Sequence, residues 1–453
     1  MIRRVAAGIG MTTFDKLVIA GTQLTLVPVL ASRWGLDLYG QWLLLATLPQ
    51  FLSMSDFGFA TAAGTRMTMA AARGDRAEAL RLFQSAWRAI LASSAGMVAL
   101  ALTAAWLIPP SLFGTAPAAP VAALRATLAI LAVYGVLAVQ GSIFFAGFRA
   151  AQLFPVGAFW NAMVLLIENL ALVITVVLGG GIVAAAAAWL AGRMLGLIGQ
   201  NWLLRRRVPW LRIGLARGSW REARGLLAPA GAVMVLPIAQ ALVLQGTALV
   251  VGAVAGRAAV PAFAATRTLS RVGMQLCWIV STPLMPEFSA ALARQDRRRI
   301  VGMIGAVLLF SALCVVPFAF GFMVLGRAGI ALWTHGAILP SRGLVVAMGC
   351  AILCGGIWYP LSNLILAANR QASYTLWYLA LACGGLALAV PLVAIFGASG
   401  AALAMAGLDF VMLLVVARLA RRLFGTGNDP GAALAFFREQ AQRVLSPARR
   451  ATR

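Results

Sequence analysis

Charge of one sign is nearly missing from this chain. Its 453 residues carry 12 Asp and Glu against 37 Lys and Arg, and Lys16 is the one lysine. Only 11% of residues are charged and 62% are hydrophobic, with mean hydropathy +0.91. Soluble domains are about 25% charged and about half apolar, so a water-exposed globule is excluded. Histidine is reduced to His335. The five cysteines, Cys277, Cys314, Cys350, Cys354 and Cys383, all lie in apolar segments. No Cys/His cluster has metal-ligand spacing, so neither a metal centre nor any other cofactor is expected, and the cysteines read as small packing residues. Long polar loops are also lacking. The longest link on the arginine-poor side, "GRAGIALWTHGAILP" (326–340), offers too few polar groups to compose a catalytic site.

What the chain has is apolar runs, and the bilayer is the solvent they imply. A spanning helix needs about 20 apolar residues. Twelve candidates fall at 14–33, 39–63, 83–108, 121–147, 153–178, 182–204, 226–254, 260–288, 299–325, 341–367, 372–396 and 399–421. The start, "MIRRVAAGIGMTTFDKLVIAG", has basic residues but no clean cleavage signature, so the first run reads as a retained helix. The net charge of +25 is not spread as on a nucleic-acid groove. Alternate links hold Arg3, Arg4, Arg66, Arg73, Arg76, Arg81, Arg149, the cluster from Arg205 to Arg224, Arg294, Arg297, Arg298, Arg299, Arg370 and the tail. The other links hold only Arg33, Arg257, Arg327 and Arg342. The positive-inside rule then places both termini in the cytoplasm.

The basic links also carry helix-start chemistry. Asp75 with Glu78, and Ser219 with Glu222, have capping spacing. The stretch 205–225 reads as an arginine-rich interfacial linker, with Trp210 and Trp220 at headgroup level. The tail, 425–453, reads as a basic amphipathic segment, either a membrane-surface anchor or a solvated end. The expected organisation is a six-helix half over 1–204, the linker 205–225, a second half over 226–424, and the tail.

Three segments repeat in order. "ARGDR" (72–76) matches "ARQDR" (293–297) at an offset of 221, and Arg149 in "GFRAAQ" matches Arg370 in "AANRQA" at the same offset. "GGIVAAAAAWL" (180–190) falls on "GASGAALAMAG" (397–407) at 217. Two equivalent halves of six spans face the same way and are expected to enclose a central cleft that opens to each side in turn.

"LYGQWLLLATLPQFLSMSDFGFATAAGTR" (38–66) resembles the second span of the polysaccharide flippases, which belong to the multidrug/oligosaccharidyl-lipid/polysaccharide exporter superfamily (MOP). "LVLQGTALVVGAVAGRAAVPAFAATRTLSR" (242–271) resembles their seventh and eighth spans. Many relatives have an acidic residue in the seventh span where this chain reads Gly246 or Thr247. The resemblance implies an all-α bundle in the bacterial inner membrane. It also implies transfer of undecaprenyl-pyrophosphate-linked oligosaccharide to the outer leaflet, with membrane lipids and other polysaccharide assembly proteins as partners.

Charges inside the apolar runs are the candidate site. An arginine at mid-bilayer costs about 2.5–3.5 kcal/mol on insertion scales. Arg267 and Arg271 lie one turn apart on one face, better placed toward a wet cleft than toward lipid. Guanidinium groups take phosphate in a fork, so the pair suits a pyrophosphate head. The other reading is that they lock the bundle against acidic groups. Lys16, Gln23, Gln240 and Gln245 can hydrogen-bond sugars or water. Glu168 and Arg193 sit in neighbouring spans and read as a structural ion pair. Asp56 is a cap or partner for Arg66, or else a cargo or proton group. Asp409 has no obvious partner and is a candidate proton carrier.

Two other classes remain in view. A drug–cation antiporter of the same superfamily should show more acidic residues in its cleft, and a major-facilitator carrier should show a second basic cluster and a glycine beside "ARGDRAEA". A polysaccharide polymerase or ligase should carry a long outer loop with catalytic groups.

Overall fold

The computed structural model describes residues 2–53, 58–107, 119–272, 288, 291–292, 294–368, 370 and 372–424. Among them there are helices and turns and no strand. The helices are α1 (Ile2–Leu45), α2 (Thr47–Leu52), α3 (Phe59–Ala72), α4 (Arg76–Leu107), α5 (Val121–Ala150), α6 (Phe154–Val177), α7 (Ile182–Arg207), α8 (Trp220–Ala241) and α9 (Thr247–Val254). They continue with α10 (259–272), α11 (Arg297–Trp333), α12 (Arg342–Ala367), α13 (Ala372–Phe396) and α14 (Ala398–Phe424). Among the described residues nine helices are long and apolar enough to cross a membrane. The chain is an all-helical, multi-pass membrane protein.

Local chemistry corrects several expected boundaries. The link expected at 34–38 is a kink within α1, because Gly35 takes φ 70, a left-handed value a side chain would resist. The second expected span begins in the last turns of α1 and takes in α2, and α3 extends beyond its expected end to Ala72. The seventh is interrupted by a π-helical turn, Leu242–Gly246, between α8 and α9. Hydropathy is blind to such an insertion, since it changes the winding and not the polarity. Of the eighth expected span, only its first half, α10, and Phe288 lie within the described residues.

The helices form two compact units, 1–241 and 242–453. In the first, α6 and α7 approach so closely that a Cβ added at Gly192 would stand 2.6 Å from the Glu168 backbone. One at Gly196 would strike Val164, and one at Gly199 Trp160. A glycine stripe of this kind allows two backbones to meet where lipid supplies no hydrophobic drive. In the second, Gly349 and Gly356 of α12 play the same part against Met323 and Val315 of α11.

One turn is built twice. Between α3 and α4, Asp75 N–H donates to Ala70 C=O at 3.0 Å and Arg76 N–H to Gly74 C=O at 3.0 Å. Before α11, Asp296 N–H donates to Ala291 C=O at 3.1 Å and Arg297 N–H to Gln295 C=O at 2.9 Å. Asp75 Oδ1 then accepts from Glu78 N–H at 2.8 Å, and Asp296 Oδ1 from Arg299 N–H at 3.1 Å. Every corresponding pair is 221 residues apart, so the sequence repeat is also a repeat of geometry. The left-handed residue is Gly74 (φ 83) in one copy and Gln295 (φ 54) in the other.

Candidate functional site

In the first unit, a charged cluster sits where α5, α6 and α7 meet. Glu168 is fully buried. Arg193 reaches it through two nitrogens, Nε to Oε2 at 2.8 Å and Nη2 to Oε1 at 2.8 Å. The Tyr134 hydroxyl donates to Glu168 Oε1 at 3.1 Å and accepts from Arg193 Nη2 at 2.9 Å. The guanidinium also lies over the Tyr134 ring, 5.1 Å from its centroid, and Tyr134 stacks on Trp189 at 4.3 Å. Trp42 follows at 5.8 Å from Trp189, and Trp34 at 5.6 Å from Trp42. Two opposite charges with a shared hydroxyl satisfy one another inside the membrane, where either alone would be costly. The cluster holds the three helices in register.

In the second unit, the π-helical turn exposes a carbonyl to a side-chain donor. The Arg267 guanidinium donates to Leu244 C=O and lies over the Phe263 ring at 5.3 Å. Arg271 follows on the same helix and is exposed. Neither forms an ion pair with a described residue. The turn also carries Gln245, which is half-buried. Gly246 packs against Leu386.

A second polar group in this unit joins α12, α13 and α14. Asp409 Oδ1 accepts from the Trp358 indole N–H at 2.9 Å. Trp358 stacks on Tyr359 at 4.0 Å and lies 5.6 Å from Tyr378, and the two tyrosine hydroxyls are 3.4 Å apart. No partner for Asp409 is legible in the sequence. The structure supplies a neutral indole donor 51 residues away.

The remaining candidates divide between the units. Gln23 (α1, exposed) and Gln240 (α8, half-buried) belong to the first; Gln245, Arg267, Arg271 and Asp409 belong to the second. Lys16 lies on α1, but its side chain is outside the described residues, as is Asp56 altogether. Among the described residues no group of His, Cys, Asp and Glu has the arrangement of a metal site. The expected capping box at Ser219 is only half formed. Ser219 Oγ accepts from Arg221 N–H at 3.1 Å, while Glu222 turns away to Ser85 Oγ at 2.7 Å and Arg81 at 3.6 Å.

A model of the family described as polysaccharide biosynthesis protein matches residues 40–333. The chain belongs to this family. Among solved structures it is similar to a multidrug resistance MATE family transporter of the MOP superfamily in an inward-facing conformation. That match has 14% identity and TM-score 0.74, covering 89% of this chain and 94% of the other. It is similar to the lipid II flippase MurJ in an inward closed conformation, at 15% identity and TM-score 0.72, over 96% and 91% of the two chains. A MOP superfamily transporter from Pyrococcus furiosus matches at 13% identity and TM-score 0.56, over 93% and 94%. No curated protein sequence matches this chain. At these identities the likeness establishes the fold, which is that of the MOP superfamily transporters and flippases.

Proposed function

We propose that the protein is a flippase that carries an undecaprenyl-pyrophosphate-linked oligosaccharide from the cytoplasmic to the outer leaflet of the bacterial inner membrane by alternating access. No covalent bond forms or breaks in this reading. The observation that carries it is the family match across 40–333 on a chain with this transporter fold. Polysaccharide assembly requires that a bulky anionic head on a lipid cross a membrane. Arg267 and Arg271 support the reading, since no described carboxylate neutralises them and a guanidinium is suited to phosphate. Arg267 would have two roles, bracing the Leu244 carbonyl and presenting charge beside Arg271. Gln245 on the same turn offers sugar-binding capacity.

The test is leaflet-resolved. Cells lacking the protein should accumulate lipid-linked oligosaccharide on the cytoplasmic leaflet, and the native gene should restore transfer. The variant R271E should restore it poorly while reaching native levels in the membrane. Normal outer-leaflet delivery without the protein would overturn the reading.

The fold likeness to a multidrug transporter keeps a second reading in place, a small-molecule antiporter. It predicts drug sensitivity and no change in lipid-linked sugar when the protein is removed.

A further inference from the structure

The linker between α7 and α8 is a fixed strap and not a loose loop. Val208 and Leu211 are buried, 2% and 1% exposed, in the core of the first unit. Gln84 of α4 holds it at two points, donating to Arg212 C=O at 3.1 Å and accepting from Arg217 N–H at 2.8 Å. Arg88 donates to Leu215 C=O at 2.6 Å, and Ser219 N–H donates to Ser85 Oγ at 2.9 Å. A Cβ at Gly218 would stand 2.7 Å from the Gln84 carbonyl oxygen, so the backbones are in contact there. On this rigid support Arg205, Arg206, Arg207, Arg212, Arg217, Arg221 and Arg224 are all exposed. The one acidic residue of the segment, Glu222, is already taken by Ser85 and Arg81.

The surface of α7 says what faces these charges. Leu195, Ile198 and Trp202 are 65%, 64% and 56% exposed and lie on one helical face at i, i+3 and i+7. Arg206 follows on that face, its guanidinium 5.3 Å from the Trp202 ring centroid. One stripe therefore passes from aliphatic to indole to cation at the end of a membrane helix. That is the order of a bilayer from hydrocarbon through the interface to the phosphates. Trp220, 50% exposed, opens α8 at the far end of the strap. Trp210, expected at headgroup level, instead packs half-buried against the core.

We propose that Trp202, Arg205, Arg206, Arg207 and the strap 208–219 form a binding surface for anionic phospholipid headgroups of the cytoplasmic leaflet. The indoles seat at the glycerol level and the guanidiniums take the phosphates. A soluble protein or nucleic acid would not require the aliphatic stripe below the cations. The inference stands apart from the flippase reading, because it concerns lipid held at this face whatever the cargo.

The experiment uses the full chain in neutral detergent micelles, titrated with acyl-brominated phosphatidylglycerol or phosphatidylcholine, with tryptophan quenching as the readout. Phosphatidylglycerol should quench at lower mole fraction, and W202F with W220F should remove most of the difference. The variant R205Q/R206Q/R207Q should weaken the preference about fivefold per arginine, and raised salt should erase it. R342Q, on the arginine-poor side, should leave it unchanged. Thermal unfolding checks that each variant is folded, and R206Q alone serves if the triple variant is not. Equal quenching by the two lipids would overturn the proposal. So would a preference that survives R205Q/R206Q/R207Q, one lost in R342Q, or displacement of the lipid by equimolar inorganic pyrophosphate.

Discussion

Removing one partner of the Glu168–Arg193 pair should cost far more than removing both. Glu168 is fully enclosed, accepts from Arg193 Nη2 and the Tyr134 hydroxyl, and has Arg193 Nε 2.8 Å from its other oxygen. R193M keeps side-chain bulk but leaves the carboxylate with Tyr134 alone. E168Q keeps an acceptor for Tyr134 but leaves a guanidinium unpaired in the membrane. Breaking a buried pair from one side costs about 3–5 kcal/mol, because a charge remains without compensation. Replacing both partners by apolar residues is often neutral, since the desolvation of each ion disappears with it. E168L/R193M should therefore lie within about 1–2 kcal/mol of the native protein, with a coupling of several kcal/mol in the double-mutant cycle. The assay is unfolding of the purified full chain by sodium dodecyl sulfate in mixed micelles, followed by loss of helical signal. Single variants that each cost under about 1 kcal/mol would show that the charges are hydrated or paired elsewhere. A double variant costing the sum of the singles would show that the two side chains act independently, and either result would refute the reasoning.

Other outcomes follow from the same structure. W358F leaves the Asp409 carboxylate without its indole donor and should destabilise by about 1–3 kcal/mol in the same assay, with a smaller further loss when D409N is added. G192V places a side chain against the Glu168 backbone and should lower the unfolding midpoint sharply. G231A on α8, where a Cβ meets nothing within 4 Å, should be neutral or mildly stabilising. D75A and D296A each remove one helix cap and should each cost about 1 kcal/mol, readable as a small shift of the unfolding midpoint.

The parts legible in the sequence are those where the membrane penalises error. Apolar runs and arginine-rich links are imposed on the whole chain by the bilayer, so helices and their order could be read from composition. Glu168 and Arg193 meet in the structure for a reason the sequence carries, since opposite charges in adjacent spans have few other ways to be satisfied. Their third partner was not readable. Tyr134 looks like any aromatic in an apolar run, and only the fold brings its hydroxyl between the ions. A usable signal was scarcity: the chain has 22 Phe and 13 Trp but 5 Tyr, and a buried tyrosine hydroxyl usually has a partner. Trp358 is not legible as a partner because a carboxylate in an apolar run points to a cation, and Asp409 is held by a neutral donor. The π-helical turn and the kink at Gly35 were invisible because each alters winding without altering hydropathy.

The two halves treat their charges differently, and the repeat makes the difference measurable. Arg193 lies in the last long helix of its half, α7, and is hydrogen-bonded to Tyr134 of α5, the fourth span. Asp409 lies in the last helix of the other half, α14, within one residue of the position that the 217 offset assigns to Arg193. It too is hydrogen-bonded to an aromatic residue of its fourth span, Trp358 of α12, one turn beyond the position the 221 offset gives for Tyr134. An ionisable group hydrogen-bonded to an aromatic residue is thus present twice, the aromatic accepting in the first copy and donating in the second. Among the described residues the counter-ion is present once: the position that the 221 offset gives for Glu168 is Ala389, fully buried and apolar. A duplicated bundle under purely structural constraint has no reason to neutralise one copy and leave the other with a carboxylate held by an indole. With α10 adding two arginines to the second unit, its intramembrane charge is unbalanced in both signs among the described residues. The first unit is the place to look for stability, and the second for interaction with a charged cargo or ion.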